Sequence, residues 1–334
     1  MTETPKTLQI ACSCCRWAPG KAASAGPATG SPMNEQEKLC IAPERRGKNF
    51  WEEFYTRFTP ADFYDTENLP VFQSQFEKRV LRPFYKGGSN TRGFAFDTAL
   101  KMLFREMKEK RRKERPLAIL DVGSGFGDYT VYIASKNPDA HVIGLDAAVS
   151  AKNFGESLSA TLKVTNCSFL AESISKTSLA DRCIDGIIGF GALHHFVTER
   201  QAAEEIGRVL RPDGCAIFVD SFHENPLFGL FHDNKAMKEM GDHMMNTRAI
   251  ERFWGEHFEL EIIPVEWTAM IDRLINYIRQ HLGLKAGFSR LHLLLSRLFF
   301  LMDRRIEKLP GRLTLPFAGS IITVVRPRAD LLAR

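Results

Sequence analysis

The 334-residue chain lacks any run of about 18 uncharged apolar residues, which is the minimum for a membrane-spanning helix. Its most apolar stretch, Leu291 to Met302, is interrupted by His292 and Arg297. A strong excess of one charge is also missing, because 45 basic against 40 acidic residues give +5, too little to indicate a nucleic-acid binder. The 44% hydrophobic and 25% charged fractions exclude chain-long disorder, collagen and a disulfide scaffold.

The seven cysteines do not form a recognisable metal-binding pattern. Four of them precede residue 46: Cys12, Cys14, Cys15 and Cys40. The other three lie in apolar runs that are typical of buried strands: Cys167, Cys183 and Cys215. No second Cys/His pair stands at zinc-finger spacing, so we expect a thiol-bearing tail and no metal. The odd count and the strand cysteines favour reduced thiols in a cytoplasmic protein.

Composition divides the chain into four parts. Residues 1–45 are rich in Ala, Gly, Ser, Pro and Thr, which predicts a disordered leader, since little apolar surface is available to offset ordering entropy. Residues 46–91 are dense in aromatic side chains, which predicts a packed N-terminal flap or, less commonly, a wall of a substrate pocket. We expect one domain over 92–326 and a tail over 327–334.

An amphipathic helix is predicted over 92–113, and after it the hydrophobic period changes. Near-continuous apolar runs then alternate with helical segments, which predicts an α/β fold with a doubly wound, mostly parallel sheet covered on both faces. The predicted strands are Leu117–Val122, His141–Leu145, Leu162–Leu170, Ile184–Phe190 and Cys215–Val219. A helix over Thr247–His257 and two final strands, Phe258–Glu266 and Gly319–Arg326, complete the pattern.

A glycine-rich turn follows the first strand, at the edge where doubly wound sheets bind ligands. The glycines are Gly123, Gly125 and Gly127, whereas the dinucleotide fingerprint needs its third glycine where Asp128 stands. Asp121 precedes the turn, and a carboxylate disfavours a neighbouring pyrophosphate but suits a cationic group. Asp146 ends the second strand, and dinucleotide-binding folds carry an acidic residue at a similar spacing. Asp146 alone therefore does not distinguish a dinucleotide from another cofactor.

The motif Asp121-x-Gly-x-Gly-x-Gly resembles the first motif of the class I S-adenosylmethionine-dependent methyltransferases. Four further segments match the motifs of this family in order. They end at Asp146, at Glu172, at His195 and in the turn before strand five. The overall pattern most resembles the ubiquinone and menaquinone methyltransferases. It implies a Rossmann-like sheet with an antiparallel last strand, and S-adenosylmethionine as cofactor with S-adenosylhomocysteine as product. The cofactor positions so implied are Asp121, Gly123, Ser124, Gly125, Gly127, Asp146, Ala147, Glu172, Ser173 and Phe190.

Within this resemblance, Asp146 is expected at the ribose hydroxyls and Glu172, one methylene longer than the usual Asp, at the adenine. If the acceptor loses a proton, a histidine suits that chemistry because its pKa is near neutral. We rank His195 first, His194 second and His223 third, since each follows the carboxyl end of a predicted strand. A capping or packing role is the alternative for His194 and His195.

A 49-residue insertion, Thr268 to Pro316, separates the last two predicted strands. It is leucine-rich and carries nine basic and three acidic residues, which predicts a basic helical cap. The cap is interpreted as a lid, as a cover for a small apolar or lipid-like acceptor, or as a contact with an anionic membrane surface. Nucleic acid is disfavoured because stacking aromatics are few. The leading function is O- or C-methylation of such an acceptor; the alternatives are a tRNA or protein methyltransferase and an inactive cofactor-binding scaffold.

Overall fold

A computed structural model describes residues 50–64, 68–81, 84–85, 88–89, 92–109, 115–222, 224–225, 245–267, 294, 298, 301–306, 308–309 and 311–328. The predicted leader over 1–45, residue His223 and most of the predicted cap lie outside them. The strands of the main sheet are β1 Leu117–Val122, β2 Ala140–Asp146, β3 Cys167–Ala171, β4 Ile184–Phe190, β5 Leu210–Ser221, β6 Phe258–Val265 and β7 Ser320–Pro327. The helices used below are α1 50–55, α2 Leu69–Phe76, α3 Arg92–Glu109, α4 Asp128–Lys136, α5 Val149–Thr161, α6 Leu193–Phe196, α7 Arg200–Val209 and α8 Thr247–Trp254.

The seven strands form one sheet in the order β3-β2-β1-β4-β5-β7-β6. The first five pair in parallel, whereas β7 is antiparallel to both β5 and β6. The predicted doubly wound sheet with an antiparallel last strand is confirmed. Because β1 lies between β2 and β4, the chain reverses its direction of winding there, and the turns after these three strands meet at one edge.

Both faces of the sheet are covered by helices, which explains why the central strands are apolar without alternation. On one face, Leu103 and Met107 of α3 pack over Gly186, where a Cβ would lie 2.7 Å from the Met107 sulfur. On the other face, Trp254 of α8 is fully buried and donates its indole N–H to the carbonyl of Val197 at 3.0 Å.

Two predicted strand boundaries were wrong. The third strand begins at Cys167 and not at Leu162, because α5 continues to Thr161 and Lys163 then adopts a left-handed φ of 57°, which a strand cannot contain. The fifth strand begins at Leu210, five residues before the predicted start at Cys215. The predicted turn over 211–214 is absorbed as an irregularity in the β4–β5 register, where Ile184 pairs with Leu210 and Gly186 pairs with Cys215.

The insertion after β6 and the start of β7 are joined to the sheet at the same edge as the glycine turn. Trp267 donates its indole N–H to the carbonyl of Thr314 at 3.0 Å. Asn225, just after β5, donates to the carbonyls of Phe317 and Ala318 at 2.8 and 3.1 Å. No helix within the described residues is both long and apolar enough to span a membrane.

Candidate active site

The turn between β1 and α4 is held in place by the end of β2. The backbone N–H groups of Gly123 and Ser124 donate to the carbonyl of Leu145 at 2.8 and 3.0 Å. Gly123, Gly125 and Gly127 have φ angles of 70°, 53° and 70°, a left-handed conformation that side chains with a Cβ rarely adopt. Each of the three positions therefore needs glycine for its own backbone conformation.

Steric contacts at the turn exclude larger side chains just as the backbone conformation does. A Cβ at Gly123 would lie 2.8 Å from the Ala192 Cβ, and one at Gly127 would lie 2.7 Å from the Gly155 Cα. At Gly125 the nearest group is the Tyr55 hydroxyl, at 3.0 Å. The turn is therefore packed against Ala192, which follows β4, and against α5, while its middle faces the N-terminal helix α1.

Two carboxyl groups beside the turn have raised pKa values. Burial raises the pKa of Asp121 to about 7, although its Oδ2 accepts a 2.6 Å hydrogen bond from Thr130 Oγ1. Burial likewise raises the pKa of Asp128 to about 6, partly offset by a hydrogen bond from the Tyr64 hydroxyl. The pKa of Asp121 is raised further by its acidic neighbours Asp128 and Asp146.

Asp146 connects β2 to the glycine turn. Its Oδ2 accepts the N–H of Gly125 at 3.0 Å, its Oδ1 accepts the N–H of Ala148 at 2.9 Å, and burial raises its pKa. Ala147 lies half-buried between these two contacts. The structure thus brings Asp121, the three glycines, Asp146 and Ala147 together at one edge.

The remaining predicted cofactor positions lie farther along this edge or below it. Glu172 and Ser173 follow β3; Glu172 Oε2 accepts the N–H of Ser178 at 2.7 Å, and Ser173 is exposed. Phe190 ends β4, but its ring packs against Phe96 and stacks on Tyr129, with centroids 3.7 and 5.1 Å away. Its described contacts are therefore with the aromatic core.

The two candidate histidines within the described residues have different surroundings. His194 is buried, and its Nδ1 lies 2.7 Å from Oδ1 of the buried Asp220, which also accepts the His194 backbone N–H at 3.4 Å. His195 is half-buried, 4.1 Å from the His194 ring and 6.0 Å from the Trp51 ring, centroid to centroid. His194 is therefore fixed by Asp220, and His195 is the more accessible of the two.

Helix α1 contributes three contacts that sequence reasoning did not assign. Glu52 accepts the N–H groups of Val149 and Ser150, the first residues of α5, at 2.8 and 3.0 Å. Tyr55 lies over Gly125, and Trp51 meets His195 edge-on with an interplanar angle of 82°. The aromatic density predicted a packed flap, but neither Glu52 nor Asp220 carried a signal in the sequence.

The chemistry of the edge fits a small cofactor that carries a cationic amino acid group. Asp128 and Asp146 lie close enough to Asp121 to raise its pKa, because like charges repel. A cation bound among the three carboxyl groups would lower this repulsion. A pyrophosphate would increase it. Within the described residues, no three His, Cys, Asp or Glu side chains are grouped as metal ligands.

This acid-flanked glycine turn, on a sheet in the order 3-2-1-4-5-7-6, defines the Rossmann-like fold of the class I S-adenosylmethionine-dependent methyltransferases. A family model described as a methyltransferase domain matches residues 113–273. The chain is 34% identical to the ubiquinone/menaquinone biosynthesis C-methyltransferase UbiE of Syntrophotalea carbinolica over 182 residues, covering 52% of this chain and 74% of the relative. The chain belongs to the S-adenosylmethionine-dependent methyltransferase family.

A second relative is the O-methyltransferase rstn1 of Aspergillus nomiae, 30% identical over 143 residues. That match covers 41% of this chain and spans 63% of the relative's length. Among solved structures, the YcgJ protein of Bacillus subtilis superposes with a TM-score of 0.43 at 18% identity, covering 70% of this chain and all of that one. The family assignment depends on the sequence relatives and not on this superposition.

Proposed function

We propose that the protein transfers a methyl group from S-adenosylmethionine to an oxygen or carbon atom of a small apolar or lipid-like acceptor. The observation that carries the proposal is the single edge that unites the glycine turn, Asp121 and Asp146 with His195 and Trp51. When bound, the cofactor supplies an electrophilic methyl group. The chain supplies binding, orientation and a proton acceptor.

At the cofactor end, the open backbone of Gly125 permits close approach and the carboxylates favour a cation. Asp121 would hold the amino group of the cofactor, and Asp146 would accept hydroxyls of the ribose. Asp146 is pre-oriented because backbone N–H groups already fix both of its oxygens. Such preorganisation avoids the cost of ordering the carboxylate when ligand binds.

At the acceptor end, His195 is the proposed proton acceptor and Asp220 a positioning residue. The carboxylate of Asp220 fixes the ring of His194, which packs against the ring of His195. Methyl transfer by direct displacement depends mainly on the alignment of the acceptor with the methyl group, and positioning of this kind is worth roughly 7 to 11 kcal/mol. Removal of a proton from an acceptor hydroxyl or acidic carbon by His195 would accelerate the transfer further.

The apolar character of the acceptor is inferred from the wall that faces the turn. Phe54, Tyr55 and Phe58 each make ring contacts with Phe126, a residue of the glycine turn, and Trp51 contacts the rings of Phe54 and His195. The names of the two relatives, an O-methyltransferase and a quinone-pathway C-methyltransferase, agree with transfer to oxygen or carbon.

The proposal is tested by incubating the purified protein with methyl-labelled S-adenosylmethionine and fractionated cell extract. Label is expected in the organic-solvent fraction, and Asp146→Ala serves as the control because it should weaken cofactor binding. Label that enters RNA or protein alone would overturn the acceptor class. Tight cofactor binding without transfer into any fraction would support an inactive scaffold.

A further inference from the structure

In the part of the chain that the structure describes, the large exposed apolar side chains are concentrated in one segment. Eight large apolar residues are exposed in the described part of the chain, and seven of them lie between residues 294 and 317. These seven are Leu294, Leu298, Leu301, Met302, Leu309, Leu313 and Phe317. All of them except Met302 have more than half of their surface exposed, up to 64% at Leu313. Single exposed apolar residues are normal in soluble proteins, but a concentration of this kind indicates an interaction surface.

The same segment is basic by sequence, because residues 294–317 carry five basic and two acidic residues. Arg304, Arg305 and Lys308 are exposed, whereas the acidic Asp303 between them and the apolar residues is buried. Among the described residues of this segment, the exposed side chains are thus apolar or cationic. This combination matches a surface that is negatively charged outside and apolar beneath it.

The segment is attached at the edge that holds the candidate active site. Trp267 after β6 and Asn225 after β5 hydrogen-bond to the backbone at 314, 317 and 318. The carboxyl ends of β5 and β6 lie at the same edge as the glycine turn, because β7 runs antiparallel to both. A partner bound by Leu313 and Phe317 would therefore stand beside the active-site edge.

We propose that these seven exposed apolar side chains, together with Arg304, Arg305 and Lys308, dock on the surface of an anionic lipid bilayer. The apolar side chains enter the interface between headgroups and acyl chains, and the three cations contact anionic headgroups. The proposal rests on the proposed function in one respect, since it names the bilayer as the source of the lipid-like acceptor. Docking beside the active-site edge would shorten the path that an apolar molecule takes through water.

Nucleic acid fits this surface less well. Single strands are bound by aromatic side chains on which bases stack, and Phe317 is the one aromatic residue among the seven exposed apolar residues. A second copy of the chain would bring cations against cations. An anionic bilayer satisfies both the aliphatic side chains and the charge.

The test is co-sedimentation of the full chain with vesicles of phosphatidylcholine alone or with added phosphatidylglycerol. Binding is expected to the anionic vesicles and to weaken as salt is raised, because the charge contribution is screened. Arg304→Glu/Arg305→Glu should lower the apparent partition coefficient at least about tenfold, given roughly 1 kcal/mol for each cation near the surface. Leu301→Ser/Leu313→Ser should lower binding at every salt concentration.

A matched charge reversal, Lys78→Glu/Lys176→Glu, changes two exposed lysines elsewhere and should leave binding unchanged. Equal sedimentation of all variants, or equal binding to neutral and anionic vesicles, would overturn the proposal. So would lipid-independent self-association that Leu301→Ser/Leu313→Ser abolishes. Cofactor binding is measured for every variant by calorimetry, so a failure of vesicle binding with cofactor binding intact is distinguishable from a failure of the proposed function.

Discussion

Replacing Asp121 by Asn separates the stability of the fold from the binding of the cofactor. The pKa of this buried carboxyl is about 7, against an ordinary value of 3.8. The folded state therefore binds the proton more tightly than the unfolded state, and this contribution to stability is lost as pH rises from about 4 through 7. At about 1.4 kcal/mol per pKa unit, a difference of roughly three units corresponds to about 4 kcal/mol.

Asparagine has nearly the same shape, can still accept the hydrogen bond from Thr130, and does not ionise. The unfolding free energy of Asp121→Asn should thus be close to that of the native chain near pH 4 and up to about 4 kcal/mol higher at pH 8. Urea unfolding at several pH values measures this difference. Asp213→Asn, at an exposed carboxylate, is the control and should show no such trend.

The same variant should bind S-adenosylmethionine more weakly, because a neutral amide does not attract an amino cation. In the native chain below pH 7, binding should release a proton from Asp121, which calorimetry detects when it is repeated in buffers of different ionisation enthalpy. Parallel stability curves for variant and native chain, or unchanged cofactor affinity, would refute the reasoning. A gain in stability with a loss of binding is the expected compromise at a functional site.

Three further substitutions test the remaining contacts. His195→Ala should lower turnover strongly while cofactor affinity measured by calorimetry stays the same; unchanged turnover would remove the residue from its proposed role. Glu52→Gln should lower the unfolding free energy by about 1 kcal/mol, because one of two hydrogen bonds at the start of α5 is lost, whereas its exposed neighbour Glu53→Gln should have no effect. Asp220→Asn should shift the pH dependence of turnover with little change in KM, because the amide is a weaker partner for His194; an unaltered pH profile would argue for a purely structural pair.

The glycine turn could be predicted from sequence because its information is local. Asp121 and the three glycines lie within seven consecutive residues, and each glycine is required by its own φ angle. The doubly wound, mostly parallel sheet followed from the alternation of strands and helices. The start of the third strand could not be predicted in this way, because an apolar residue such as Leu162 fits equally well at the end of a helix and in a strand. Periodicity alone does not separate these cases over a few residues.

The acceptor end depends on contacts that no local pattern encodes. Glu52 lies 98 residues before Ser150 and Asp220 lies 26 residues after His194, so their pairing depends on the tertiary fold. Helix α1 contacts the edge at three places: the start of α5, the glycine turn and His195. The first two lie beside the proposed cofactor position and the third beside the proposed acceptor position. A displacement of α1 would therefore change both positions together, and the kinetics of cofactor exchange and the choice of acceptor should respond to the same substitutions in this helix.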